Sequence, residues 1–249
     1  MSEKSITRRD FLKGSAAAVA TASAGRAMAQ GTGSPASRRP SLVRAAIIGP
    51  GSQGTMLLGQ AVKIPGVKFV AVCDIYDPHR EKALKVAEGA EPYTDYRKML
   101  ERKDIDAVVI ATPLYLHAPM TIDALNAGKH VFCEKPPAFC AQDIREIRAV
   151  EMESKKKLMY GFNHRHHGSI RKAKELIDSG AFGHLLWMRG RYGKNVDADF
   201  FETWRAKKEL AGGGILLDQG IHMLDLFLHF ANDFDQVQAI VQNRYWALD

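Results

Sequence analysis

From Leu42 onward the chain alternates short apolar runs with segments whose apolar residues recur every three to four positions. LVRAAIIG, VKFVAVCD, DIDAVVIATP, KHVFCEKP and LMYGF have strand length and carry β-branched or aromatic residues. Between them, PGSQGTMLLGQAVKI, HAPMTIDALNAG and AQDIREIRAVEMESKKK carry helical spacing. This alternation predicts an α/β fold with a doubly wound parallel sheet across residues 42–161.

A later apolar segment, AGGGILLDQGIHMLDLFLHF (211–230), is too apolar for an ordinary surface helix, yet it contains Asp218, His222, Asp225 and His229 at spacings of 4, 3 and 4. On one α-helix these four side chains would fall within an arc of about 60°. A solvated face would more usually carry Lys, Glu and Gln. Three uses suit such a stripe: a metal site, an acid–base site, or buried groups satisfied by hydrogen bonds.

The first predicted strand runs into Gly49-Pro50-Gly51-Ser52-Gln53-Gly54, a G-x-G-x-x-G that opens a helix. In such a turn Gly49 permits the sharp bend. Gly51 lets backbone approach a pyrophosphate, and Gly54 brings helix and strand close. The amides of Ser52 and Gln53, at the helix start, then face phosphate. Asp74 follows Gly54 by twenty residues, at the end of the next strand. A carboxylate there binds both ribose hydroxyls of NAD and repels the 2′-phosphate of NADP, so NAD is the expected cofactor. Arg80 is the residue through which NADP stays open, beside the adenine or a phosphate.

The N-terminus reads TRRDFLKGSAAAVATASAGRAMAQ, with a basic start, an Ala-rich middle and small residues before a cleavage point after Ala29. RRDFLK resembles the twin-arginine export signal, so residues 1–29 are expected to be a signal peptide read by that machinery, with a periplasmic or otherwise exported destination. Residues 30–41 form a Gly/Ser/Pro linker. The chain has 249 residues and a net charge of +7, of which +4 remains once residues 1–29 are set aside. That surplus suits an anionic ligand and argues against nucleic acid; Lys155–Lys157 read as a solvated helix end. Three cysteines without a CxxC make neither a disulfide framework nor a cysteine zinc site, and buried free thiols are expected.

ATPLYLHAPMTIDALNAGKHVFCEKP, with the glycine turn, GFNHR, WR ahead of GGG, and LDQGIHMLD, resembles the Gfo/Idh/MocA family of NAD(P)-dependent sugar and inositol dehydrogenases. The resemblance implies a Rossmann domain over 42–161 and, from 162 to 249, the start of an α+β substrate domain with an open, mostly antiparallel sheet. LLWMRGRYG and DQVQAIVQNRYWALD would supply two of its strands. It implies Lys135 as a catalytic residue beside nicotinamide and substrate, with Asp218 and His222 facing it across a cleft. Thr112, Pro113, His117 and Glu134 fall on cofactor-lining segments, and Asn163, Arg165, Trp204 and Arg205 on substrate-side ones. Hydride transfer from a secondary alcohol also needs a base for the hydroxyl proton, and histidine titrates near neutrality.

No metal is expected. In NHRHH, adjacent histidines point different ways, so His164, His166 and His167 read as a turn beside a substrate pocket. Asp225 and His229 read as supporting groups. Relative to the family pattern the chain reads as C-terminally truncated, with homo-oligomerisation expected of the full length. Two other functions fit the motifs: a glycoside-cleaving enzyme using NAD in a closed redox cycle, and a non-catalytic NAD-binding fragment.

Overall fold

The computed structural model describes residues 42–193, 195, 198–240 and 242. The expected signal peptide, the linker up to Ser41 and residues 243–249 lie outside the described residues.

The strands are β1 (Val43–Ile48), β2 (Val67–Cys73), β3 (Glu91–Tyr93), β4 (Ala107–Ile110), β5 (His130–Cys133) and β6 (Leu158–Tyr160). They form one sheet in the order β3-β2-β1-β4-β5-β6, and every ladder in it is parallel. The crossovers between them are α1 (Ser52–Ala61), α2 (Asp77–Val86), α3 (Tyr96–Leu100), α4 (His117–Asn126) and α5 (Ala141–Ser154).

Alternate residues of β1 bury on opposite sides of the sheet. Ala46 and Ile48 join Ala71, Val108, Ile110, Met99 and Leu125. Ala45 and Ile47 join Phe69, Val72, Leu58 and Ala83. Burial on both faces is why the central strands read as unbroken apolar runs rather than alternating ones. The sheet order reverses between β1 and β4, and a crevice opens beyond their carboxyl ends.

β3, α2 and α3 were not anticipated. α2 reads DPHREKALKV, so charged that only Ala83 is fully buried, and β3 is three residues long. Cys73 and Cys133 are buried, and burial pushes both thiols up to about 12, whereas Cys140 is exposed.

After β6 the chain makes a 3-10 turn at Asn163–His166 and enters α6 (Gly168–Asp178). Two expectations for this region need correction. No strand forms at 185–193 or 233–240 among the described residues, because neither segment has a ladder partner there. The apolar segment 211–230 is also not one α-helix. α7 (Lys208–Ala211) stops at Gly212 and Gly214, whose φ angles of +69° and +60° end the helix, and a π-helical turn at Leu216–Gly220 leads into α8 (Ile221–Ala231). The carbonyl of Asp218, inside the π turn, accepts from the Lys135 ammonium at 2.5 Å; a polar side chain inserted at a helix carbonyl disturbs the regular ladder.

Candidate active site

A cavity of about 700 Å³ occupies the crevice at the sheet's switch point and extends to the π turn and α8. Gly49, Gly51, Ser52 and Gln53 line one end. Gly49 has φ +79°, and a Cβ there would lie 2.7 Å from the Thr112 methyl and 2.9 Å from its amide nitrogen, so only glycine fits between the loops that follow β1 and β4. α1 begins at Gly51 with no side chain capping it, leaving its first amides available to an anion.

Asp74 lines the same end, its carboxylate held by the Tyr76 amide at 2.9 Å and by Nδ1 of His79 at 3.2 Å. No motif marks His79 for this site. It sits on the highly charged α2 and covers the glycine turn: a Cβ on Gly51 would meet its ring at 3.4 Å.

Two residues expected to touch the cofactor do not line the cavity. Arg80 turns back to donate to the Asp74 carbonyl at 2.7 Å and to pair with Asp77 on its own helix. Gly54 packs under the turn, where a Cβ would stand 2.3 Å from the Gly49 carbonyl oxygen. Its part is the close helix–strand approach.

Thr112, Pro113, His117 and Glu134 all border the cavity. The ring nitrogens of His117 face the carbonyls of Pro136 at 2.7 Å and Thr112 at 2.8 Å, and burial pushes its pKa down despite these bonds. Glu134 accepts from Gln53 Nε2 at 3.0 Å and from the Lys135 amide at 3.2 Å.

At the other end Lys135 Nζ stands 3.0 Å from Asp218 Oδ1. The second oxygen of Asp218 accepts from Gln219 Nε2 at 3.0 Å and lies 3.4 Å from Arg205 Nε. Burial would raise the Asp218 pKa, but Lys135, the hydrogen bonds and Arg205 outweigh it and hold the carboxyl below its usual range. His222 is 5% exposed and its Nδ1 has no hydrogen-bond partner. Burial first, then the charges of His164 and Lys135, push its pKa down to about 4, so the ring is neutral near physiological pH.

Asn163, Trp204 and Arg205 line this end as well, with the Arg205 guanidinium 4.5 Å from the Trp204 ring centroid. Arg165, the remaining substrate-side candidate, is elsewhere: it forks onto Asp225 from Nε at 2.8 Å and Nη2 at 2.5 Å and does not line the cavity. The polar stripe of 218–229 is therefore divided. Asp218 faces Lys135, His222 faces the cavity, Asp225 anchors Arg165, and half-buried His229 lies against Phe230. His164, in the turn expected beside a substrate pocket, and Tyr192, which no motif marked, line the cavity beside His222.

Three stretches of the chain match known families. Residues 5–25 match the twin-arginine translocation signal, which marks the protein for export. Residues 43–162 match the oxidoreductase family with NAD-binding Rossmann fold, and residues 170–247 match the Gfo/Idh/MocA C-terminal domain. The chain is 35% identical over 150 residues to levoglucosan dehydrogenase of Pseudarthrobacter phenanthrenivorans, covering 59% of this chain and 38% of that protein. It is 39% identical over 153 residues to inositol 2-dehydrogenase of Salmonella typhimurium, covering 60% and 46%. The chain thus spans less than half the length of these curated relatives. A solved structure of levoglucosan dehydrogenase in complex with NADH superposes with a TM-score of 0.70 at 29% identity, over 76% of this chain and 53% of that one. With two profiles of one family matched in chain order over a sheet whose switch point carries the glycine turn, the chain belongs to the Gfo/Idh/MocA family of oxidoreductases.

Proposed function

We propose that the protein transfers hydride between a hydroxyl-bearing carbon of a sugar or cyclic polyol and a nicotinamide cofactor, NAD in preference to NADP. One observation carries the reading: Lys135, Asp218 and His222 meet in the same cavity as the glycine turn and Asp74. The uncapped start of α1 and the Cβ-free approach at Gly49 suit a pyrophosphate, and the Asp74 carboxylate suits a ribose diol. When bound, the dinucleotide supplies the acceptor for the hydride.

The chain's own residues handle the alcohol. The Lys135 ammonium, held in place by its ion pair with Asp218, polarises the hydroxyl oxygen. Neutral His222 receives the hydroxyl proton as the C–O bond becomes a carbonyl. Asn163, Trp204 and Arg205 supply polar and aromatic contacts suited to a polyhydroxylated ring. Relatives named for levoglucosan and inositol support that substrate class. The reading includes a division into nucleotide and substrate parts near residue 161, and export ahead of use. It also includes self-association, which exposed Leu186, Trp187, Val237 and Ile240 support.

The test is NADH formation by the full chain with NAD and a panel of inositols, hexoses and glycosides. Net NADH from a free sugar, lost in Lys135→Ala and His222→Asn, bears the reading out. Glycoside cleavage without net NADH, or turnover indifferent to both substitutions, overturns it.

A further inference from the structure

His164, in the NHRHH turn beside the pocket, packs directly on His222. Its ring lies flat on that of His222, with centroids 4.1 Å apart and planes within 12°. Tyr192 lies nearly parallel to both, at 5.9 Å from His164 and 6.1 Å from His222, while Phe162 meets His222 edge-on at 6.3 Å.

The stack joins two elements distant in the chain, the 163–166 turn and α8, and an adjacent contact holds them together. Arg165, the neighbour of His164, forks onto Asp225, which sits on α8 one turn beyond His222. Side chains three apart on a helix share a face. The clamp therefore fixes the turn over the part of α8 that carries His222, and His164 has little room to leave the ring beneath it.

We propose that His164 is a positioning residue for His222, its ring fixing the plane in which the His222 nitrogens meet the cavity. The proposal rests on the oxidoreductase reading of the site. Two imidazoles face to face cannot hydrogen-bond to each other, since their N–H groups and lone pairs lie in the ring planes. What they share is dispersion contact and, when protonated, like-charge repulsion. A proton on either ring opposes a proton on the other.

The surrounding charges reinforce this. His222 is faced by Lys135 from the segment after β5, by Asp218 from the π turn, by Asp225 from α8 and by His164. His164 is faced by His167, Asp225 and Lys135. Both carboxylates already have cationic partners, Lys135 and Arg205 on Asp218 and Arg165 on Asp225. Their pull toward an imidazolium is outweighed by burial, by the second ring and by Lys135. The pair stays neutral, and the Nδ1 of His222 keeps its orientation without a protein partner. Stacking thus accomplishes what a carboxylate does for a histidine elsewhere, and it leaves both nitrogens unencumbered.

Two variants of the full chain separate the components. His164→Phe keeps a stacked ring and removes the second proton site; His164→Ala removes both. The direct readout is the titration of the His222 ring by NMR of ¹³C-labelled histidine, with His222→Asn identifying the resonance. In His164→Phe the His222 midpoint should rise by about half to one pH unit, and in His164→Ala further still as water reaches the ring. Because a base must be unprotonated to act, the acid limb of kcat/KM should move up in pH by the same amount in His164→Phe, with KM nearly constant. His164→Ala should also lose kcat by about tenfold. A His222 midpoint unchanged in both variants overturns the proposal. So does a uniform loss of activity with no movement of the pH profile. The NMR titration needs no turnover, so a protein that oxidises no sugar would sink the functional reading while leaving the His164 result legible.

Discussion

Lys135 and Asp218 are 83 residues apart in the chain and 3.0 Å apart in the fold. Both side chains are only 14% exposed, so each neutralises a charge that the other would otherwise leave in a poorly hydrated place. Removing the cation should therefore have two separable effects. Lys135→Met should lower kcat/KM by about a hundredfold or more. It should also change the acid stability. The folded-state pKa of Asp218 is depressed, so the pair's contribution is present above the unfolded carboxylate value and is lost as pH falls through the folded one. Thermal melts below about pH 4 should show that loss in the wild type and not in Lys135→Met.

His222 yields an independent acid signature. Its pKa falls from 6.5 to about 4 on folding, so between those values the unfolded chain binds more protons than the folded one. Stability should decline as pH falls from about 6.5 to about 4. His222→Asn removes the titrating group and should flatten that part of the curve, as urea midpoints across the same range would show.

Asp74 is expected to select the cofactor. Asp74→Ser should weaken NAD binding by about tenfold and narrow the gap to NADP, measured by calorimetry with each dinucleotide. Arg80 is occupied by Asp77 and the Asp74 carbonyl, so Arg80→Gln should affect the stability of α2 more than either affinity.

Gly49→Ala should be the most damaging single methyl in the nucleotide end. Its φ of +79° alone costs about 1 to 2 kcal/mol with a side chain present, and the added carbon would stand 2.7 Å from the Thr112 methyl. A fall in the urea midpoint together with loss of NAD binding is expected. Gly59→Ala, which meets nothing within 4 Å and lies in the last turn of α1, should be neutral or slightly stabilising.

The Arg165–Asp225 fork should be structural in its energetics. Asp225 is 7% exposed on its side chain and Arg165 is 39% exposed, so cutting the fork strands the carboxylate more than the cation. Arg165→Met should cost about 2 to 3 kcal/mol in urea unfolding, and Asp225→Asn less, because the amide keeps a hydrogen-bonding oxygen.

The parallel sheet was legible because its central strands are apolar on both sides, which makes their runs continuous and hard to mistake. β3 and α2 were invisible for the opposite reason: short or highly charged, they are held by neighbours rather than by any pattern of their own. Lys135 could be named from the family resemblance alone, and Asp218 and His222 from that and their helical spacing, but the turn on which Asp218 meets Lys135 is a π turn, which no periodicity announces. Arg165 looked like a ligand group because its motif lies on the substrate side, and only the position of Asp225 one turn past His222 reveals its other employment. His79 and His164 act through spatial neighbours remote from their own motifs, so residue type alone could not single them out.

Glu134 links the two ends of the cavity. One of its oxygens holds Gln53 at the start of α1, and the other holds the backbone amide of Lys135. The same carboxylate thus braces the start of α1 and the backbone that carries the ammonium, so the nucleotide end and the alcohol end share one side chain as a common strut.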